Sequence, residues 1–280
     1  MLHIWSMKTR QTYFILTCIL FIISLSANMI SAQEDATREV SLRLGFTHTS
    51  IQDYRMGSVK HTSWAPKYDI GYSHQNEKRI SQVRLQFFAT RSANQGLLSL
   101  TSLRPAINYS YQRNVKDGLW IGGFIDHSTL LNFPKTATSL HNNNPISYNI
   151  SQSIGPRVTY TGTASIGGDR PLGYQVSTQA ALLSYMIQPA FGHPYPTQYL
   201  KEEAFSPTRE GMTWPLMKSG KLATMDKVRN FRLELGLFYF VNDRVKISVD
   251  YQGEIFYANT RGKALNMESH DIFFGASYIH

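Results

Sequence analysis

The stretch FRLELGLFYFVNDRVKISVDYQGE, residues 231–254, shows most clearly the alternation that indicates the fold of this chain. In both halves of this stretch, apolar side chains occupy every second position, and most of the residues between them are polar, charged or glycine. Because successive side chains in a strand point to opposite faces of the sheet, a period of two predicts two strands, each with one apolar face. The short connection 241–243 predicts a tight turn between the two strands.

The same alternation recurs along the chain in pieces of about ten residues. Regular pieces lie at 40–46, 83–89, 107–111 and 272–278, and less regular ones lie near 67–75, 118–130, 152–166 and 172–188. Long and short connections follow each other strictly. The long connections are 49–66, 91–103, 131–149, 189–227 and 258–269, and the short ones are 76–79, 113–117, 167–171 and 241–243.

This arrangement predicts an all-β fold, a transmembrane antiparallel up-and-down β-barrel of about ten strands. A strand can cross lipid only in a closed ladder, because hydrocarbon offers no hydrogen-bond partners to an open edge. Such barrels have long extracellular loops and short periplasmic turns, and both chain ends lie on the periplasmic side. A soluble β-sandwich has no reason to sort its loops by length.

The N-terminus has the order of a secretory signal peptide. Basic residues at 8–10 precede an apolar run at 13–25, and small residues lead to Ala32. We expect a signal peptide at 1–32 and a single barrel domain at 33–280. Cys18 is the only cysteine, so the remaining domain would have no disulfide and no thiolate site.

The last strand, DIFFGASYIH at 271–280, resembles the C-terminal signal of outer-membrane β-barrel proteins, with His280 in place of the usual terminal Phe. Together with the Ser-Ala-Gln-Glu junction at 31–34, the chain resembles outer-membrane barrels of Bacteroidetes-type bacteria. This resemblance is one of architecture. It implies a place in the cell outer membrane of a Gram-negative envelope.

If the apolar faces contact lipid, the polar faces line the lumen. A barrel of about ten strands is narrow, so we expect its charged side chains to pair and fill it, since unpaired buried charges are costly. Strands on either side of 241–243 should bring Arg232 and Glu234 opposite residues 250–254. The expected charge network comprises Arg43, Arg84, Arg157, Arg232, Glu234, Lys246, Asp250 and Glu254.

Catalysis at the extracellular rim is the first alternative. Several histidines are expected there in solvated loops, namely His48, His61, His127, His141, His193 and His270. Asp126, His127 and Ser128 have the residue types of a hydrolase triad, but neighbours in a strand point to opposite faces. We therefore assign no catalytic residues, no cofactor and no metal, and keep a hydrolase acting on lipid A or peptide, and a narrow solute channel, as alternatives.

The connection 189–227 is the best candidate for specific binding, because long loops without regular structure are usually functional or disordered and this one is rich in apolar residues. Its contact candidates are Tyr199, Phe205, Trp214, Lys218 and Lys221. Each long connection has one more basic than acidic residue, which favours phosphate-bearing lipopolysaccharide. The expected partners are outer-membrane lipid, lipopolysaccharide and a surface protein, and not nucleic acid.

Overall fold

The computed structural model describes residues 36–54, 59–93, 98–136, 147–165, 170–188, 220–259 and 264–280. All regular structure in these ranges is β-strand. Within the same ranges, the chain has no helix that is long and apolar enough to cross a membrane. The expected signal peptide at 1–32 lies outside the described residues. The strands are β1 Thr37–Asp53, β2 His61–Gln75, β3 Arg79–Ala93, β4 Leu98–Lys116, β5 Leu119–Thr136, β6 Ser147–Ala164, β7 Leu172–Ala180, β8 Leu183–Ile187, β9 Lys221–Thr224, β10 Val228–Phe240, β11 Val245–Ala258 and β12 Leu265–Ile279.

The strands form a single closed antiparallel sheet. Consecutive strands pair from β1 to β6, β1 also pairs with β12, and β12 continues through β11 and β10 to β7. Strands β7 and β8 both pair with β6, so they are two parts of one wall strand, interrupted at 181–182. Strands β9 and β10 form the next wall strand, interrupted at 225–227. The barrel therefore has ten wall strands, and the predicted fold class is confirmed.

The connections are sorted by length, but the strands extend farther than the alternation predicts. Strand β1 continues to Asp53 and β2 begins at His61, so both enter the predicted loop 49–66. Strand β9 lies inside the predicted loop 189–227. These strand ends place hydroxyl and amide side chains on their inward faces, where they pair: Ser102 Oγ donates to Asn132 Oδ1 at 2.7 Å. Because these polar residues make the strand ends resemble loops, the sequence pattern did not show that the strands continue there.

The ladder is locally irregular at Pro105 and at the turn that follows β4. Pro105 lies inside β4, where it interrupts the pairs with β5 without shifting their register. The turn predicted at 113–117 is shorter, because β4 continues to Lys116 and only 117–118 separate it from β5. Gly118 has a φ of 77°, and a Cβ there would lie 2.1 Å from the carbonyl oxygen of Thr161. Only glycine fits this turn.

The two faces of the wall differ as a membrane barrel requires. On β1, Val40, Leu42, Leu44 and Phe46 point outward and remain about half exposed or more. The inward neighbour Thr47 is fully buried. Because the outer surface is apolar and the interior is polar, the fold is inverted relative to a soluble barrel.

Candidate functional site

A group of ion pairs crosses the interior between distant strands. Arg84 on β3 donates from Nη1 to Glu234 Oε1 at 2.6 Å and from Nη2 to Asp69 Oδ2 at 2.9 Å. Arg157 on β6 donates to the other oxygen of Glu234 at 2.8 Å. Arg43 Nη2 lies 2.8 Å from Asp69 Oδ2. Strands β3 and β10 are five wall strands apart in either direction, so the pair of Arg84 and Glu234 spans the lumen.

A second group lies closer to the long-loop end. Arg104 on β4 makes a bidentate contact with Glu254 on β11, with N–O distances of 2.7 and 2.5 Å. Arg232 lies 3.4 Å from Asp126 and 3.6 Å from Glu254. Strands β4 and β11 also face each other across the barrel. The bidentate geometry fixes both planar groups, and the lumen is crossed again at this level.

Two further ion pairs are Lys67–Asp271 at 2.5 Å and Arg43–Asp250 at 3.6 Å. Together with the two groups above, they contain equal numbers of acidic and basic side chains. Every predicted network residue lies in an interior ion pair: Arg43, Arg84, Arg157, Arg232, Glu234, Lys246, Asp250 and Glu254. Lys246 contacts Glu39 at 2.6 Å, nearer the short-turn end. Equal numbers of opposite charges let a narrow interior remain polar without unpaired charge.

Sequence reasoning missed some members of this arrangement. Arg104 directly follows the predicted loop 91–103, and because a proline comes next, the sequence does not show that Arg104 belongs to a strand. Asp126 was considered only as part of a catalytic triad, and it is instead fully buried beside Arg232. Asp271 in the last strand could have been found from its alternation with Ile272, because it occupies an inward position.

Near the long-loop end, an apolar cluster lies among the buried polar side chains of the interior. A cluster of buried side chains from many strands meets there, formed by Ile51, Leu100, Leu130, Met186, Ala223, Val228, Phe256, Ala258, Leu265 and Met267. These residues lie near the ends of their strands that face the long connections. Side chains of the wall itself are thus buried in the interior at this end.

A cavity of about 730 Å³ occupies the opposite half of the interior. Arg43, Arg84, Arg157 and Glu234 line its inner end. Its walls extend toward the short turns, where Thr37, Gln75 and Asp243 contribute to the lining. The barrel therefore consists of a filled half and an open half, separated by cross-lumen ion pairs.

The four described rim histidines, His48, His61, His127 and His270, do not lie in loops as predicted, because they belong to strands. His48 and His270 face each other across β1 and β12 on the outer face, and the His48 ring contacts the Trp64 ring in a tilted arrangement, with centroids 4.9 Å apart. Only His61 meets a serine in the described interior: its Nδ1 lies 3.1 Å from Ser92 Oγ. His141 and His193 lie outside the described residues.

Asp126, His127 and Ser128 do not form a triad. Asp126 and Ser128 are buried inside, whereas His127 alternates to the outer face. Ser128 pairs with Ser151 at 2.9 Å instead. In the described ranges no group of three or more His, Cys, Asp or Glu side chains is suited to hold a metal ion.

The predicted loop contacts are only partly visible. Tyr199, Phe205, Trp214 and Lys218 lie outside the described residues. Lys221 is described, but it belongs to β9 and not to a loop, because residues 221–224 continue the ladder against β8. Its side chain is exposed.

No family model matches the chain, and no curated protein sequence matches it significantly. Among solved structures, the translocator domain of the autotransporter NalP from Neisseria meningitidis is similar at 10% identity and a TM-score of 0.42, covering 96% of this chain and 97% of that one. The outer membrane protease OmpT from Escherichia coli has 10% identity and a TM-score of 0.40, covering 89% and 98%. Ail, the attachment invasion locus protein of Yersinia pestis, in complex with the heparin analogue sucrose octasulfate, has 9% identity and a TM-score of 0.35, covering 88% and 100%. Likenesses at this level do not identify a ligand, a substrate or an activity.

Proposed function

We propose that this chain is an integral outer-membrane β-barrel protein that conducts no solute and binds a partner at the cell surface. The outward band of exposed apolar side chains supports membrane insertion. It extends around the wall and includes Leu42, Ile70, Phe87, Ile125, Ile154, Val176, Leu235, Val249 and Phe274. In water such a band would be a strong aggregation site. In lipid it is the expected surface of a barrel.

The proposal that the barrel conducts no solute rests on the cross-lumen ion pairs. Arg84–Glu234 and Arg104–Glu254 each connect opposite walls, and the apolar cluster lies beyond them. A solute would have to break buried, charge-assisted hydrogen bonds at two levels to pass. The interior therefore acts as a rigid support for the surface that the barrel presents outside.

Lipopolysaccharide is the surface partner that the described residues favour. Arg229 lies on the outer face of β10, two residues beyond the lipid-facing Phe231, and its guanidinium is 5.6 Å from the centre of the Tyr257 ring. Lys227 next to it is exposed. The neighbouring acid Asp226 accepts a hydrogen bond from Thr224 at 2.5 Å. Two cations just above an apolar band match the phosphates of lipid A in charge and height.

Planar-bilayer recordings test the closed lumen: the purified protein should insert without stepwise conductance. Binding of lipopolysaccharide to the detergent-solubilised protein tests the partner. The variant R229Q/K227Q should bind more weakly, with a smaller salt dependence, than R113Q/K116Q, which removes two exposed charges at the short-turn end. Stable conductance would refute the closed lumen, and equal binding by both variants would refute the assigned lipid site.

A hydrolase is the second candidate, favoured by the contact between His61 and Ser92. A histidine in hydrogen-bond reach of a serine is the first requirement for an activated nucleophile. Against it, Ser92 is 5% exposed, and in the described part of the chain no carboxylate hydrogen-bonds to His61. Labelling with a fluorophosphonate probe tests whether Ser92 is a nucleophile. Labelling that is lost in S92A but kept in S128A would establish the hydrolase, and absence of labelling would refute it.

A further inference from the structure

The cavity in the short-turn half of the barrel has two chemically different walls. On one side, Phe238 and Phe240 from β10 line it and contact each other edge to face, with ring centres 5.7 Å apart. Phe238 lies directly on Gly173, where a Cβ would be 2.1 Å from the ring. Inward-pointing phenylalanines are unusual in a polar, water-filled interior. They form an apolar ledge, Phe238 and Phe240, near the mouth of the cavity.

The opposite side offers amides and hydroxyls. Gln75 and Ser73 on β2 and Gln82 on β3 line the cavity, and their side chains have no hydrogen-bond partner among the described residues. Strands β3 and β10 face each other across the barrel, so these groups look toward the aromatic ledge. Free amides can donate and accept at once, which suits a ligand that carries many hydroxyl groups.

The charges around the cavity are already neutralised by one another. Lys246 is paired with Glu39 at 2.6 Å, and its ammonium lies 5.1 Å from the Phe238 ring centre. At the inner end, Arg84 and Arg157 share Glu234. An ionic ligand would lose hydration without gaining an unpaired counter-charge. A neutral ligand would lose less hydration free energy on entering the cavity.

We propose that this cavity is a binding site for a neutral oligosaccharide. The apolar C–H face of a sugar ring packs on an aromatic ledge, because ring faces are negative and C–H hydrogens slightly positive. Its hydroxyls bond to Gln75, Gln82 and Ser73. The volume of about 730 Å³ falls in the range of roughly 300–1,000 Å³ that small-molecule sites occupy. Entry is from the short-turn end, which faces the periplasm if the proposed outer-membrane orientation holds.

Calorimetric titration of the detergent-solubilised full chain tests the proposal with three probes of similar length. Oligomers of N-acetylglucosamine represent acetylated cell-wall glycan, maltotetraose represents free periplasmic oligosaccharide, and oligogalacturonate is the charged control. At least one neutral probe should bind more tightly than the charged one, and the preferred neutral probe indicates the source. If neither neutral probe binds at millimolar concentration, or if the charged probe binds best, the proposal is wrong.

Two variants locate the binding in this cavity. F238L/F240L removes both rings but keeps apolar volume, and should weaken binding about three- to tenfold; Y239L, on the lipid face of the same strand, should not. A bulky maleimide on S73C in a C18S background should abolish binding. If Y239L weakens binding as much as F238L/F240L, or if modified S73C still binds, the cavity is not the site. None of these results depends on conductance, so failure here is distinguishable from failure of the closed lumen.

Discussion

Removal of the Glu254 carboxylate is the sharpest test of the interior network. In E254Q, Arg104 loses a bidentate partner with contacts of 2.7 and 2.5 Å, and Arg232 loses a contact at 3.6 Å. Arg104, Glu254 and Arg232 are all at most 3% exposed. Breaking a buried pair by deleting one partner typically costs about 3–5 kcal/mol. We expect E254Q to lower the free energy of unfolding by an amount in that range.

The companion variants separate the pair from its surroundings. R104M should also cost about 3 kcal/mol, because it leaves the Glu254 carboxylate with only the longer contact to Arg232. The double variant R104M/E254Q should cost less than the sum of the two single changes, with a coupling of about 1–3 kcal/mol. The matched control is the exposed pair of Lys60 and Glu268, at 3.6 Å, with side chains 55% and 53% exposed. E268Q should change stability by less than about 1 kcal/mol.

Urea unfolding of the protein in lipid vesicles, followed by tryptophan fluorescence, measures all four variants. Reversible transitions give the free energies by linear extrapolation. If E254Q costs no more than E268Q, or if the costs of E254Q and R104M simply add, then Glu254 does not bind Arg104 as the structure shows. The interior would then not be closed by ion pairs.

Three further outcomes are expected. G118A should destabilise the barrel by about 1–3 kcal/mol in the same unfolding assay, because its positive φ and the nearby Thr161 carbonyl leave no place for a methyl group; a change within 0.5 kcal/mol would contradict this. L42R should cost about 2–4 kcal/mol in lipid vesicles, as lipid-facing charges do near the midplane, and a neutral result would mean that this position does not face lipid. Deletion of 195–218 should leave the heat-dependent shift in electrophoretic migration unchanged while removing binding of a surface-protein partner, whereas loss of membrane insertion would assign the segment a structural role.

The direction of each side chain could be predicted from local sequence to a large extent. Inward placement of Arg232 and Glu234 follows from their alternation with leucines, since a strand has a period of two whatever surrounds it. The register across the 241–243 turn also follows, because a short turn leaves little freedom: Arg232 pairs with Glu254 and Glu234 with Gln252. Strand ends were harder, because polar residues on the inner face make a strand resemble a loop.

Partners across the lumen could not be predicted. Arg104 and Glu254 are separated by 150 residues in sequence, and their contact depends on the number of strands, their tilt and the point of closure. An alternation pattern states which face a residue occupies, but not what stands opposite it. The same limit applies to Asp126, whose inward position was compatible with a catalytic or a structural role until Arg232 was placed beside it.

A closed ladder with its apolar side outward could be predicted from local sequence, because the period of two and the sorting of connection lengths are the properties of a membrane barrel. The division of the interior into a half with an apolar cluster and a half with a cavity, with cross-lumen ion pairs between them, became visible only in three dimensions. Closure brings strands that are distant in sequence to opposite sides of one lumen, and only there do individual charges meet their partners.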